Sequence, residues 1–370
     1  MNTQDIASQA RASSTISSTV KQMANQNWAS RPDDERFISL TEMEDHFRYI
    51  RANSRGVVVS NKKLTLQPEA GNKLVVYGPN GSGYEPTNWA FGQMASLVQA
   101  PAGYLRTLPA EMAADCLNYG LYKRDVEDIG ILLSRTDKNE VRAATGPRYG
   151  RIWNSDIVGS LVERFGDGVS GQWKVPGEFG RDVTVTKSNT TLFASDRDFF
   201  VFLCDEKNRI QWNNRSMARG FFVWNSEVGA ATFGLATFLF DFVCCNRLIW
   251  GGAEYHELKV RHTASAPDKF LYEMQPALQR YSDSSSANIV KALDDAKAHR
   301  LDNVDEFLAT RFSRGMVAKL KAVHEMEEQR PIESRYDAVN AVTAYAKGIP
   351  YQDQRVELER EAGKLIVLAA

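Results

Sequence analysis

Cysteine and histidine are scarce in this chain, at four and five among 370 residues. Cys116, Cys204, Cys244 and Cys245 contain no C-x-x-C pair, and the last two are adjacent. That spacing argues against a disulfide framework and a paired-ligand zinc site, and predicts buried free thiols in a reducing compartment. His46, His256, His262, His299 and His324 are scattered, with no H-x-H pair. His324-Glu325 opens like the H-E-x-x-H helix of zinc proteases, but Glu328 stands where the second imidazole is needed. No G-x-S-x-G elbow is present. No catalytic residue, metal or cofactor is therefore expected, and the chain reads more as a non-enzyme, with a small-molecule or nucleotide hydrolase built around Glu227 and His262 as the lesser alternative.

Excess charge is also missing. Forty-five basic residues face 46 acidic ones, for a net charge of −1, which argues against gripping duplex DNA by overall positive charge and leaves room for a local basic groove. The sole apolar run near membrane length is Val228 to Cys245, eighteen residues with Asp241 as their one charge. A carboxylate is costly in a bilayer, so the run predicts a helix buried in a soluble core. The first 22 residues are polar and lack an apolar signal core. A cytoplasmic protein with no membrane partner is the expectation.

What is present begins with a near miss. Residues 78–83, Gly-Pro-Asn-Gly-Ser-Gly, follow the strand-like Lys73–Tyr77 and fit half of a phosphate-binding loop. The motif needs Lys and then Ser/Thr next, to hold phosphate and magnesium; Tyr84 and Glu85 stand there instead. A glycine-rich strand-to-helix turn is expected, with the helix starting near Thr87.

Periodicity and turn chemistry predict an α+β fold: a mixed or antiparallel sheet core with inserted helices and a helical C-terminal region. Its parts are a polar N-terminal helical segment over 1–53, an α+β core over 54–263, and helices over 264–370. Capping-box spacing at Ser39/Glu42 or at Thr41/Glu44 predicts a helix near 40–52, and Pro109 is placed to open another. Short strands are expected near 56–59, 63–67, 73–77, 129–134, 182–186, 199–203 and 221–224. Six helices are expected from 267 onward.

Two segments mix cations with flat rings and contain no acid. Residues 141–155 hold Arg142, Arg148, Tyr149, Arg151 and Trp153; residues 207–226 hold Lys207, Arg209, Trp212, Arg215 and Arg219. Single-strand nucleic-acid binders need cations for phosphates and rings for bases. On neighbouring hairpins the two segments would line one groove, with Arg142, Arg148, Arg151, Arg215 and Arg219 on phosphates and Tyr149 and Trp212 on bases. Residues 219–224 approach the RNP1 string of RNA-recognition motifs but slip its register, and predict a buried strand. A second constellation embeds polar residues in apolar sequence: Asp196, Arg197, Asn225, Glu227, Asn246, Arg247 and His262. A buried charge needs a partner, so Glu227 is expected to pair with Arg247 or Arg197, as a structural network or a ligand site.

The strings NWASRPDDERFISLTEM (27–43), APAGYLRTLPAEMAADCLN (100–118), SDRDFFVFLCDE (195–206), RGFFVWNSEVG (219–229), FDFVCCNRLIWG (240–251), RHTASAP (261–267) and RYDAVNAVTAYA (335–346) together resemble the phage/plasmid-like family called domain of unknown function nine-three-two. The resemblance runs from about residue 27 to the end and is most specific in N-S-E-x-G and C-x-N. It implies a protein of bacteriophages, plasmids and related mobile elements, and brings no catalytic residues with it. Joined to the basic and aromatic segments, it implies single-strand annealing, an activity of α+β proteins that often form rings, so a homo-oligomer is an open expectation. The alternative is an anti-defence or host-interaction protein that contacts a host or phage protein through its N-terminal and acidic C-terminal helices.

Overall fold

Capping chemistry sets the first helix. Ser39 accepts the Glu42 N–H at 3.1 Å, and Glu42 reaches back to the Ile38 N–H at 2.7 Å, opening α1 (Leu40–Ala52) where the spacing predicted. The computed structural model describes residues 33–175, 184–241, 247–248, 258–349 and 352–366. The expected helix within 1–30, Asp182 and Val183, Cys244, Cys245, Asn246 and His256 lie outside the described residues, and the described part of the strand expected at 182–186, Thr184 to Thr186, forms no strand.

Two sheets carry the fold. The first joins β1 (Arg36–Phe37), β8 (Trp173–Lys174), β9 (Leu192–Ala194), β10 (Phe199–Asp205), β11 (Ile210–Trp212), β12 (Arg215–Asn225), β13 (Phe233–Asp241), β14 (Arg247–Leu248) and β15 (Leu258–Val260). Its main path runs β1-β9-β10-β12-β13-β14, all antiparallel. The second is β2 (Ser54–Ser60), β3 (Thr65–Glu69), β4 (Lys73–Tyr77), β5 (Gly83–Pro86), β6 (Asp128–Arg135) and β7 (Asn139–Thr145), in the order β2-β6-β7-β5-β4-β3. It is mixed, because β5 pairs β7 in parallel.

Each sheet buries one face under helices. α1, α5 (Asn154–Phe165) and α6 (Ala266–Asp283) cover the first, packing Phe47, Ile157, Leu161, Phe270 and Met274 onto Phe199, Val201, Phe221 and Phe233. α2 (Asn88–Leu97), α3 (Ala102–Leu105) and α4 (Ala110–Lys123) cover the second through Met94, Leu105, Leu117 and Leu121. The C-terminal helices α7 (Ala287–Ala298), α8 (Val304–Ala309), α9 (Arg314–Glu328), α10 (Arg335–Lys347) and α11 (Gln352–Ile366) build a separate core that also takes in Trp212, Met217 and Leu239 from the first sheet. This is the α+β architecture with a helical C-terminal region that the sequence predicts. α1 and α6 fall on either side of the predicted core boundaries, yet both pack into the core of the first sheet.

Two expectations are corrected. The apolar run from Val228 is not a helix but leads into β13, whose Phe233 and Leu235 enter the α6-covered core while Ala236 and Phe238 pack on the opposite face. A strand buried on both faces loses its alternation and reads as a continuous apolar run. Among the described residues, no helix is long and apolar enough to cross a membrane. The glycine-rich segment at 78–82 joins two strands, β4 and β5, and Thr87 caps α2 beyond them by accepting the Ala90 N–H at 3.2 Å. Glu85, in the place of the loop serine or threonine, pairs with Lys73 at 2.5 Å.

Candidate functional site

β12 ends at Asn225, and the chain turns through Ser226, Glu227, Val228 and Gly229 before β13. Gly229 has φ +86°, a left-handed value that suits glycine. Glu227 is 1% exposed; its carboxylate accepts Arg142 Nη1 at 3.0 Å and the Asn154 backbone N–H at 2.8 Å. The second bond sets a negative charge at the N-terminus of α5, where the helix dipole favours it. Arg142 reaches Glu227 through a β-bulge. Leu132 pairs Ala143 and Leu133 pairs Val141, so Arg142 is the extra residue, and the bulge re-aims its side chain.

Further groups converge on the same turn. Arg151 donates to the Glu227 carbonyl, and Tyr149 Oη donates to that of Ser226 at 3.0 Å. From α2, Trp89 Nε1 and Gln93 Nε2 donate to the Val228 carbonyl at 3.0 and 2.7 Å. Asn225 Nδ2 donates to the Ile152 carbonyl at 2.9 Å and to Asn154 Oδ1 at 2.7 Å. Ser226 Oγ donates to the Arg197 carbonyl at 2.6 Å. The turn thereby ties both sheets, α2 and α5 together.

His262 closes the cluster from the strand side. Its ring stacks on Tyr149 at 4.8 Å and 17°, and its Nδ1 lies 3.0 Å from the Gly150 carbonyl oxygen. Gly150 is required there, since a Cβ would lie 1.8 Å from the Thr263 carbonyl oxygen. Burial holds the His262 imidazole below its ordinary range; the Gly150 carbonyl pulls the other way and the Arg151 guanidinium adds to the lowering. Burial likewise pushes the Tyr149 hydroxyl up.

The predicted residues divide accordingly. Arg142, expected on phosphates, is 7% exposed and engaged with Glu227. It takes the partner role expected of Arg247 or Arg197. Arg247 pairs its backbone with Phe240, level with Ala218 and about 24 Å along the strands from Asn225. Arg197 instead lies exposed, 5.7 Å over the Trp89 ring. Asp196 is exposed in the β9–β10 turn.

The second basic segment works elsewhere. Trp212 is 6% exposed, donates to Asp294 Oδ1 at 2.7 Å and meets the Tyr336 ring edge-on at 4.7 Å. Arg215 pairs with Glu328 at 2.9 Å, while Arg219, 5% exposed, lies 3.3 Å from Asp205 and donates to the Tyr281 carbonyl at 3.2 Å. Trp212 and Arg215 fasten the first sheet to the C-terminal helices, and Arg219 ties β12 to β10 and α6. Arg215 and Asn225 stand at opposite ends of β12, about 34 Å apart, so the two basic segments do not line one groove.

What the turn brings to the surface is a smaller set. Arg148, Arg197 and Arg261 are exposed, each on a different loop: Arg148 and Arg261 precede the stacked Tyr149 and His262, and the Arg197 carbonyl accepts from Ser226 Oγ. Around them Trp89, Tyr149, Trp153 and His262 are half-buried, and Arg151 lies 5.2 Å over Tyr149 and 5.7 Å over Trp153. Trp89 and Gln93 were not singled out by sequence, although their i, i+4 spacing just after the Thr87 cap puts both on one helix face. Among the described residues, no group of three or more His, Cys, Asp or Glu side chains is placed to hold a metal ion. No family model, curated protein or solved structure matches this chain.

Proposed function

We propose that this chain binds single-stranded nucleic acid, without chemistry of its own, on the surface around the Glu227 turn. The observation that carries this reading is that three exposed arginines, Arg148, Arg197 and Arg261, stand on the loops that hold a cluster of half-buried rings, with Arg197 itself 5.7 Å over Trp89. Guanidinium groups suit phosphate oxygens, and partly open rings suit bases. The buried network beneath fixes loops that would otherwise wander. Glu227 has both carboxylate oxygens engaged and offers no base to a substrate. In a mobile-element protein, the family type that the sequence resembles, annealing of complementary strands is the form this binding would take.

The alternative, a host-interaction protein working through its C-terminal helices, calls for an exposed apolar patch there. Among the described residues of 264–370, the exposed large apolar side chains are the adjacent Leu271 and Tyr272 on α6, and α7 to α11 expose none. The test is fluorescence anisotropy with a labelled single-stranded oligonucleotide, a duplex control and a salt series. Replacing Arg148, Arg197 and Arg261 together with alanine should weaken binding and flatten the slope of log K against log salt by about 2. A folded triple variant with unchanged affinity removes the assignment.

A further inference from the structure

Ten large apolar side chains are exposed among the described residues, and five fall within one short stretch: Tyr104 (61%), Met112 (53%), Tyr119 (64%), Tyr122 (80%) and Val126 (74%). α4 carries the middle three and is apolar on two sides. Ala110, Ala113, Ala114, Leu117 and Leu121 are buried. Met112, Cys116 and Tyr119 form an outer stripe at spacings of four and three residues, which Lys123 continues. That spacing is the seam of a packed helix pair.

Charge along α4 is polarised. Exposed Glu111 and Asp115 occupy its first half and Lys123 its end, and none of the three takes part in an ion pair among the described residues. Lys62 adds a second cation at the C-terminal end, donating to the Leu121 carbonyl at 3.2 Å and to those of Tyr122 and Arg124.

We propose that α4 is the contact between two copies of this chain, packed antiparallel about a two-fold axis near Leu117. Turning the second helix end for end sets Lys123 of one copy against Glu111 of the other, and symmetry repeats the pair. The helix dipoles then also oppose. A parallel pair would set like charges together at both ends. In the antiparallel arrangement Tyr119 of each copy covers Cys116 of the other. The 14-residue helix is about 21 Å long, a small face beside the roughly 800 Å² per partner of a standard complex, so association belongs in the micromolar range. This contact stands apart from the Glu227 turn and does not depend on nucleic-acid binding.

Sedimentation velocity of the full chain from about 1 to about 100 µM should show a monomer passing to a dimer. Tyr119→Glu should raise the dimer Kd at least about tenfold. Lys123→Glu alone should weaken the dimer, and adding Glu111→Lys should restore it, because the swapped pair is again complementary. A short bis-maleimide should link two chains through exposed Cys116 and fail in Cys116→Ser. Circular dichroism melts confirm that each variant is folded. A monomer at about 100 µM, or a dimer that the charge swap does not restore, overturns the proposal.

Discussion

Replacing Glu227 with glutamine keeps the side chain's size and removes its charge. Arg142 would then be a cation at 7% exposure, keeping Ser54 Oγ as a hydrogen-bond partner at 3.5 Å. Breaking a buried pair from one side costs about 3–5 kcal/mol. The amide oxygen can still accept from Arg142, so the lower end applies, about 3 kcal/mol. Arg142→Met strands the carboxylate instead and should cost a similar amount, eased by the Asn154 N–H that remains. The double variant buries no charge, so its cost should fall short of the sum by about 2 kcal/mol or more. Urea unfolding followed by tryptophan fluorescence measures all three variants. With about 2.1 cal/mol/K of unfolding entropy per residue, a loss of about 3 kcal/mol also lowers Tm by about 4 °C if the 370 residues unfold together. Two single variants within about 1 kcal/mol of the parent, or strictly additive costs, would refute a buried pair at this position.

Two further perturbations test the surroundings. Gly150→Ala must push the 146–151 loop away from Thr263, since the added Cβ would lie 1.8 Å from the Thr263 carbonyl oxygen; it should cost about 1–3 kcal/mol in the same urea assay and weaken oligonucleotide binding by opening the Tyr149–His262 stack. Asp337 supplies the pH test. Burial works against its charged form, yet the Arg330 guanidinium and the N–H groups of Glu333 and Ser334 hold its pKa down to about 2, from 3.8. A lowered carboxylate pKa stabilises the fold above pH 3.8, and that stability is lost as pH falls towards about 2. Asp337→Asn should therefore cost about 1–2 kcal/mol at neutral pH, allowing for solvent around Arg330, and nothing near pH 2. His262 and His324, both lowered by burial, should make the parent lose stability as pH drops below 6.5, where the unfolded chain takes up protons first. A flat difference between the Asp337→Asn variant and the parent across acid would sink the assignment.

Local signals were readable because their causes are local. The Ser39–Glu42 cap and Pro109 before α4 each involve residues within one helical turn. β13 was misread because burial on both faces removes the period that marks a strand. The polar constellation was legible in part, since a charge such as Glu227 stands out in apolar sequence. Its partner was not. Arg142 lies 85 positions away and is aimed by a bulge that no local pattern announces. Composition also could not separate solvated arginines from buried ones: Arg142 and Arg219 belong to strands, Arg148 to a loop tip.

That division gives the first basic segment a physical logic. Within ten positions, Arg142 goes to the core, Arg148 to the surface and Arg151 to the layer between, where it holds the Glu227 carbonyl under two rings. The inner two set the loop on which the outer one stands. On the proposed single-strand binding, changing either kind of arginine would weaken it, for different reasons. Loss of Arg148 removes a phosphate contact and so a released counterion, which lowers both the affinity and the salt slope. Loss of Arg151 releases the loop with the number of exposed cations unchanged, which lowers affinity at an unaltered slope. The salt slope, more than the affinity itself, therefore separates the residues that touch nucleic acid from those that hold them in place.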